Sequence, residues 1–316
     1  MVLVNDAMNK VLAGFPPHIR LTDAWPHNHF HVQLQVTDFL QLPGFQAVST
    51  LEGLLTHYKG VVMAVGDICL DESEGLKDRF WVPVTEAKRY YQAGAALEFD
   101  FAHMYVPDLR RCIAELQARL QLPAGTFGKA IAYAAPRGGG LPAHFDAYSN
   151  FIFQISGEKV WKLRENENVH DPVEHYDQHE YPYVPDELRA YWSGEAPDAR
   201  LSDGWIEVLR PGSLMFLPRG IWHKTESSDA TLSINITFSS PTYLDAILAE
   251  LRRCLVADAR WRAFLPRWTP VEMTEMLKDA ARTVGQVQAS DLLSWQDTQL
   301  DAYQVWNHVF RQTMLR

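Results

Sequence analysis

The sequence predicts a mainly β protein with helices: an antiparallel barrel or sandwich, embellished at its N-terminus and followed by a small helical region. Three observations carry that class. Between residues 126 and 240, short runs rich in Phe, Ile, Tyr and Trp alternate with Pro/Gly punctuation. Upstream, residues 104–121 repeat their apolar positions at helical spacing. Beyond Pro241 the turn signals thin out and helical patterning takes over.

In chain order, residues 24–31 open a segment of mixed patterning that contains His27, His29 and His31. Leu109, Ile113, Leu116 and Leu120 mark one face of a helix, and Pro107-Asp108 is its start signal. The β region is punctuated by Arg137-Gly138-Gly139-Gly140, Ser156-Gly157-Glu158, Pro211-Gly212 and Pro218-Arg219-Gly220. Strands are expected over 150–155, 159–163 and 231–238. Helices are expected over 242–258 and 271–283, with a third over 296–314. The organisation read from this is an N-terminal part (1–125), a β core (126–240) and a helical C-terminal region (241–316). Leu244, Ile247, Leu248 and Leu251 form an apolar stripe, followed by Trp261, Phe264 and Trp268. So small a region cannot bury that surface by itself, so it is expected to pack on the core or make a homodimer.

Composition excludes several classes. Hydrophobic residues at 47% and charged residues at 22% describe an ordinary soluble chain, neither disordered nor fibrous. The net charge of −10 repels phosphate backbones, so direct nucleic-acid binding is not expected. Cys69, Cys112 and Cys254 are far apart and lack zinc spacing, which fits a reducing cytoplasm. There is no run of 18 apolar residues and no recognisable signal peptide, so no membrane association is expected. Much of the charge is local. Residues 165–203 hold 11 carboxylates against Arg189 and Arg200, an acidic insert expected to rim a site mouth and select a basic substrate, or else to be a solvated loop.

The chemistry is expected at His144-Phe145-Asp146. Residues two apart on a strand share a face, so an imidazole and a carboxylate can converge on one metal. The apolar run Leu214–Leu217 ends in a Pro/Gly turn that delivers His223. Two His and one carboxylate make the facial triad of non-haem Fe(II) oxygenases, with positions left open for cosubstrate and O₂. Taken alone, H-x-D is a weak motif that a polar surface strand also produces. Further along, alternation puts Lys159 on the face of Trp161 and Leu163. A lysine so placed either needs a buried anion, such as the far carboxylate of 2-oxoglutarate, or snorkels to water at a strand end. Ser233, Asn235 and Thr237 share one face of their strand, and Asn150 shares the parity of His144 and Asp146. Asn150 and Asn235 are therefore candidates for a wet barrel interior.

Together, Pro142-Ala143-His144-Phe145-Asp146, Asn150-Phe151, Gly157-Glu158-Lys159 and Pro218-Arg219-Gly220-Ile221-Trp222-His223 resemble a JmjC-type 2-oxoglutarate oxygenase. With Gly94-Ala95-Ala96-Leu97-Glu98-Phe99 and Gly138-Gly139-Gly140, the chain is most similar to the ribosomal oxygenase (cupin-4) branch. The resemblance covers roughly residues 25–240. It implies a double-stranded β-helix (cupin, jelly-roll) with Fe(II) and 2-oxoglutarate. It makes His144, Asp146 and His223 the iron ligands, Lys159 the cosubstrate's carboxylate partner, and Asn150 and Asn235 looser matches to pocket-lining positions. The C-terminal part is shorter than dimerisation helices plus a full winged-helix domain, a departure that bears on substrate.

The function expected is hydroxylation of a protein or peptide side chain, a basic ribosomal protein being one candidate. Alternatives are hydroxylation of a small molecule or natural-product peptide, N-methyl demethylation, and a non-catalytic cupin-like binding or sensing module. His27, His29 and His31 are read as a polar strand face rather than a metal site, for want of a carboxylate partner. His175 and His179, beside Glu174, Asp177 and Glu180, could form a zinc clip but lack an apolar frame. Tyr133 reads as core, with ligand contact as the alternative.

Overall fold

The computed structural model describes residues 2–16, 28–66, 79–122, 125–264 and 269–288. His27, Cys69, Trp268 and the helix expected over 296–314 lie outside them. By packing, the chain divides into one unit of residues 1–122 and 128–239 and a second of residues 123–127 and 240–316. Among the described residues, no helix is long and apolar enough to cross a membrane.

In the first unit the helices are α1 (Val2–Ala13), α2 (Val36–Leu40), α3 (Leu51–His57), α4 (Val84–Gln92), α5 (Pro107–Arg119) and the short α6 (Asp186–Arg189). The first strands are β1 (Phe30–Gln33), β2 (Val61–Val65), β3 (Arg79–Pro83), β4 (Ala96–Phe99) and β5 (Phe127–Ala135). Next come β6 (His144–Phe145), β7 (Ser149–Ser156), β8 (Lys159–Arg164) and β9 (Tyr176–Asp177). The last are β10 (Trp205–Leu209), β11 (Ser213–Leu217), β12 (Trp222–Ser227) and β13 (Thr231–Ser239). They form an eight-stranded sheet, β1-β11-β7-β13-β5-β4-β2-β3, and a five-stranded sheet, β10-β8-β12-β6-β9. Two antiparallel sheets with helices are what the expected double-stranded β-helix requires.

Alternation decides which residue faces what. On β7 and β13, Phe151, Phe153, Ile234, Ile236 and Phe238 face the helices, where they meet Phe39 of α2, Leu54 of α3 and Leu109, Ile113 and Leu116 of α5. The opposite face of the sheet turns inward. There Ile152, Met215 and Leu217 pack against Trp161, Leu163 and Leu209 of the smaller sheet. This apolar layer lies beside His223, which is opposite Leu163 in the register. The acidic insert covers the outer face of the smaller sheet. Val169, Tyr176, Val184, Leu188 and Leu201 close over Phe145 and Trp222. The insert is thus a packed cover with a core of its own, and its carboxylates occupy what that core leaves outside.

The open edges of the sheets are tied. Beside β1, His29 Nε2 and His31 Nδ1 lie 3.3 and 3.0 Å from the two oxygens of Glu207 on β10. Sequence reading expected no carboxylate here, because Glu207 is remote in the chain. The three residues form a clip between the outermost strands of the two sheets.

In the second unit, α7 (Tyr243–Val256) and α8 (Pro270–Val284) are both opened by capping boxes, Thr242 with Asp245 and Thr269 with Glu272. Leu244, Ile247 and Leu248 on α7 are exposed, as are Phe264, Val271 and Leu277.

Candidate metal centre

His144 on β6 and His223 on β12 are directly opposite one another in an antiparallel pair. The loop before β6 holds that register. Gly138 N donates to Ser227 O at 2.8 Å, Ser227 N to Gly139 O at 2.9 Å, and Thr225 N to Leu141 O at 3.0 Å. Gly140 lies so close that a Cβ would sit 1.9 Å from the Thr225 carbonyl oxygen. Beyond β6, Gly220 (φ +88°) donates to the Asp146 carbonyl at 2.8 Å, so the Pro218-Arg219-Gly220 turn seats Asp146 and aims β12. Phe145 points out into the insert's core, which leaves His144 and Asp146 facing inward. A metal-binding atom from each of His144, Asp146 and His223 lies within 4.8 Å of the others, and all three residues are buried.

The protonation pattern suits a cation. His144 Nδ1 donates to Pro142 O at 2.7 Å and His223 Nδ1 to Ile221 O at 2.9 Å. Both Nε2 atoms therefore keep their lone pairs for a ligand. Burial, and then His223, push His144 well below its ordinary pKa, and burial also lowers His223. Burial alone would raise the Asp146 carboxyl, but the His175 hydrogen bond and the three imidazoles hold it below the usual range.

The other expected residues come to the same interior. Lys159 is 3% exposed, with its Nζ 5.4 Å from the Tyr133 ring centre and 5.6 Å from that of Trp161. Burial lowers its pKa to about 8, against the pull of Glu98. Among the described residues no carboxylate pairs with it. Asn150 Nδ2 donates to Asp146 Oδ2 at 3.0 Å. Asn150 Oδ1, Asn235 Oδ1, Gln154 Oε1, Ser233 Oγ and Trp161 Nε1 are buried without a partner. Buried polar groups are ordinarily satisfied, so these unpartnered atoms on the inward faces of β7, β8 and β13 suit a polar guest. Tyr133 touches Lys159 and lines the same interior.

Sequence reading weighed His175 and Asp177 only for a zinc clip and passed over Arg79. His175 Nδ1 donates to Asp146 Oδ1 at 3.0 Å, and its Nε2 meets Asp177 Oδ2 at 3.2 Å. Asp177 is 2% exposed and accepts from Arg79 Nη2 at 2.7 Å. Burial opposes the charge on His175, yet Asp177 and Asp146 raise it to about 9. The zinc clip with His179 is not formed, since His179 lies exposed and both His175 nitrogens are engaged by carboxylates. A signal was present. His175-Tyr176-Asp177 is a second H-x-D, and it pairs antiparallel with the first, His144 opposite Asp177 and Phe145 opposite Tyr176. Glu98 was also passed over as a side chain. It shares a face with Tyr133 and Met63, and burial, then Asp100, raise it to about 7.

Residues 111–246 match the family model described as a JmjC domain. The chain is 46% identical over 304 residues to the uncharacterized protein YxbC of Bacillus subtilis (strain 168), covering 93% of this chain and 92% of that one. It is 28% identical over 212 residues to Ribosomal oxygenase 2 of Mus musculus, covering 62% of this chain and 41% of the mouse protein. It thus spans less than half of that relative's length. The solved structure of E. coli ycfD superposes with a TM-score of 0.51 at 15% identity, covering 86% of this chain and 68% of that one, a likeness of fold.

Proposed function

Because the chain belongs to the JmjC-domain family and is related to the ribosomal oxygenases, we propose that it is an Fe(II)- and 2-oxoglutarate-dependent dioxygenase hydroxylating a side chain of a protein or peptide. One observation carries the reading furthest: a buried ammonium without a carboxylate, in the same interior as a buried two-His, one-Asp cluster. Lys159 and Leu163 are on one face of β8, and Leu163 is opposite His223 in the register. Four residues of strand separate the levels, about 13 Å. That spacing suits a five-carbon dicarboxylic acid set between a metal and an ammonium.

The donor set, two neutral imidazoles and one carboxylate, fits Fe(II). His144, Asp146 and His223 would hold the metal, and Lys159 would take the far carboxylate of 2-oxoglutarate, a charge-assisted bond. Asn150 steadies Asp146, and the unbonded oxygens of Asn150 and Asn235 can accept from a bound group. When bound, the iron and 2-oxoglutarate supply the O₂ activation that no protein side chain can. The chain's own work is to orient the ligands, exclude water with the Ile152–Trp161–Leu163 layer, and keep the imidazoles unprotonated.

The acidic insert supports a basic substrate: its unburied carboxylates, Glu174 and Glu180 among them, lie in the segment that also delivers His175 behind the metal ligands. Among the described residues Cys112 and Cys254 are in no disulfide, which is compatible with a cytoplasmic setting. The test is succinate release from 2-oxoglutarate with iron present, together with a search for peptides that gain the mass of one oxygen atom. Conversion of neither cosubstrate nor peptide would favour a non-catalytic module.

A further inference from the structure

Asp146 has two carboxylate oxygens, and the structure treats them differently. Oδ2 is 3.7 Å from His223 Nε2 and accepts from Asn150 at 3.0 Å, so it faces the imidazoles. Oδ1 is taken by His175 Nδ1 at 3.0 Å. His175 is itself held from behind, since its other nitrogen meets Asp177, and Asp177 is fixed by Arg79. Both nitrogens point at carboxylate oxygens, so both donate and neither has a lone pair for a metal. That excludes His175 as a fourth ligand. The relay has little slack. Asp177 is locked in register opposite His144, and Arg79 reaches it from β3, the outermost strand of the other sheet.

Carboxylates bind divalent ions through one oxygen or two. A second oxygen from Asp146 would fill one of three positions that an α-keto acid and O₂ must share. We propose that His175, anchored by Asp177 and Arg79, is a positioning residue that confines Asp146 to a single metal-bound oxygen, Oδ2. This rests on the functional reading above. The clamp acts through the ligand and touches neither metal nor cosubstrate. It also gives the insert a task that its charge does not reveal, that of carrying the clamp across the back of the metal ligands.

The probe is Mn(II) with the full-length protein, followed by 2-oxoglutarate titrated into the Mn(II) form by calorimetry. His175→Ala should bind Mn(II) within about threefold of wild type but 2-oxoglutarate about tenfold or more weakly, the usual scale for outer partners of a metal site. His175→Asn, which keeps a donor where Nδ1 now lies, should recover most of that loss. Circular dichroism on all three proteins checks that the fold is kept. X-ray absorption at the Mn edge gives a readout without cosubstrate: one carboxylate oxygen from Asp146 in wild type and in His175→Asn, two in His175→Ala. Unchanged 2-oxoglutarate affinity in His175→Ala, loss of Mn(II) itself, or identical Mn-edge spectra would overturn the clamp. A wild-type Mn(II) protein that took up no 2-oxoglutarate would instead sink the functional reading, and the Mn-edge spectra would still decide the clamp.

Discussion

At the scale of single residues, the site depends on which atoms are charged and which are left unpaired. Asp146→Ala removes the one anionic ligand, so metal binding measured by calorimetry and succinate release should both vanish while circular dichroism is unchanged. Lys159 makes a pH prediction. Burial holds its pKa at about 8 in the unliganded protein. A bound carboxylate favours the ammonium and raises that value, so above it binding must take up a proton. Affinity for 2-oxoglutarate should be full at lower pH and fall by up to about tenfold per unit above pH ~8. Lys159→Met should bind weakly at every pH and lose this dependence; a wild-type affinity that is flat from neutral to alkaline pH would remove Lys159 from the role. By the same sign, the unliganded fold gains stability as pH rises from there toward the ordinary lysine value, because the unfolded chain then holds the extra proton. His144, Asp146, His223 and Lys159 were legible because strand parity and turn signals are local. His175, Asp177 and Arg79 were not, because their meaning lies in partners 29 and 98 residues away.

At the scale of elements, alternation was the legible quantity. Leu232, Ile234, Ile236 and Phe238 face the helical core and Ser233, Asn235 and Thr237 the interior, as the period of two requires. The helix expected over 104–121 is α5, slightly shorter at Pro107–Arg119. The acidic insert was legible only in its charge. Its apolar residues are spaced too irregularly to declare a core, and the −9 balance concealed one. That changes which carboxylates can steer a substrate. Asp177 is buried in an ion pair and plays no part at a rim. Neutralising Glu174 and Glu180 alone should slow capture of a basic peptide, most of all at low salt. An equal rate for basic and neutral peptides at low salt would dismiss the steering. The glycine-rich entry to β6 is a second element whose role is steric. Gly140→Ala must push against the Thr225 backbone, so it should cost about 2 kcal/mol or more in denaturant unfolding. Because Thr225 is two residues from His223, the same variant should bind Mn(II) more weakly.

At the scale of the whole molecule, the second unit is where sequence and packing leave a surface uncovered. Leu244, Ile247 and Leu248 are 46–53% exposed on α7, on the stripe expected to pair with a second copy. Light scattering should therefore show a dimer at micromolar concentration, and Leu244→Glu with Ile247→Glu should give a monomer that still binds Mn(II). A monomeric wild type would end that expectation. The first unit raises the opposite question, how a two-sheet protein avoids sticking to its neighbours. Its sheets have four outermost strands, β1, β3, β9 and β10. His29 and His31 tie the β1 edge to Glu207 on β10, and Arg79 of β3 ties to Asp177 of β9. Each link ties one sheet's border to the other's, and polar or charged groups beside unpaired backbone discourage a foreign strand from adding on. The sandwich is hemmed along both sides by a few side chains. Glu207→Ala, which unpicks one hem far from the metal ligands, should leave Mn(II) affinity intact while the protein slowly forms β-rich aggregates on standing.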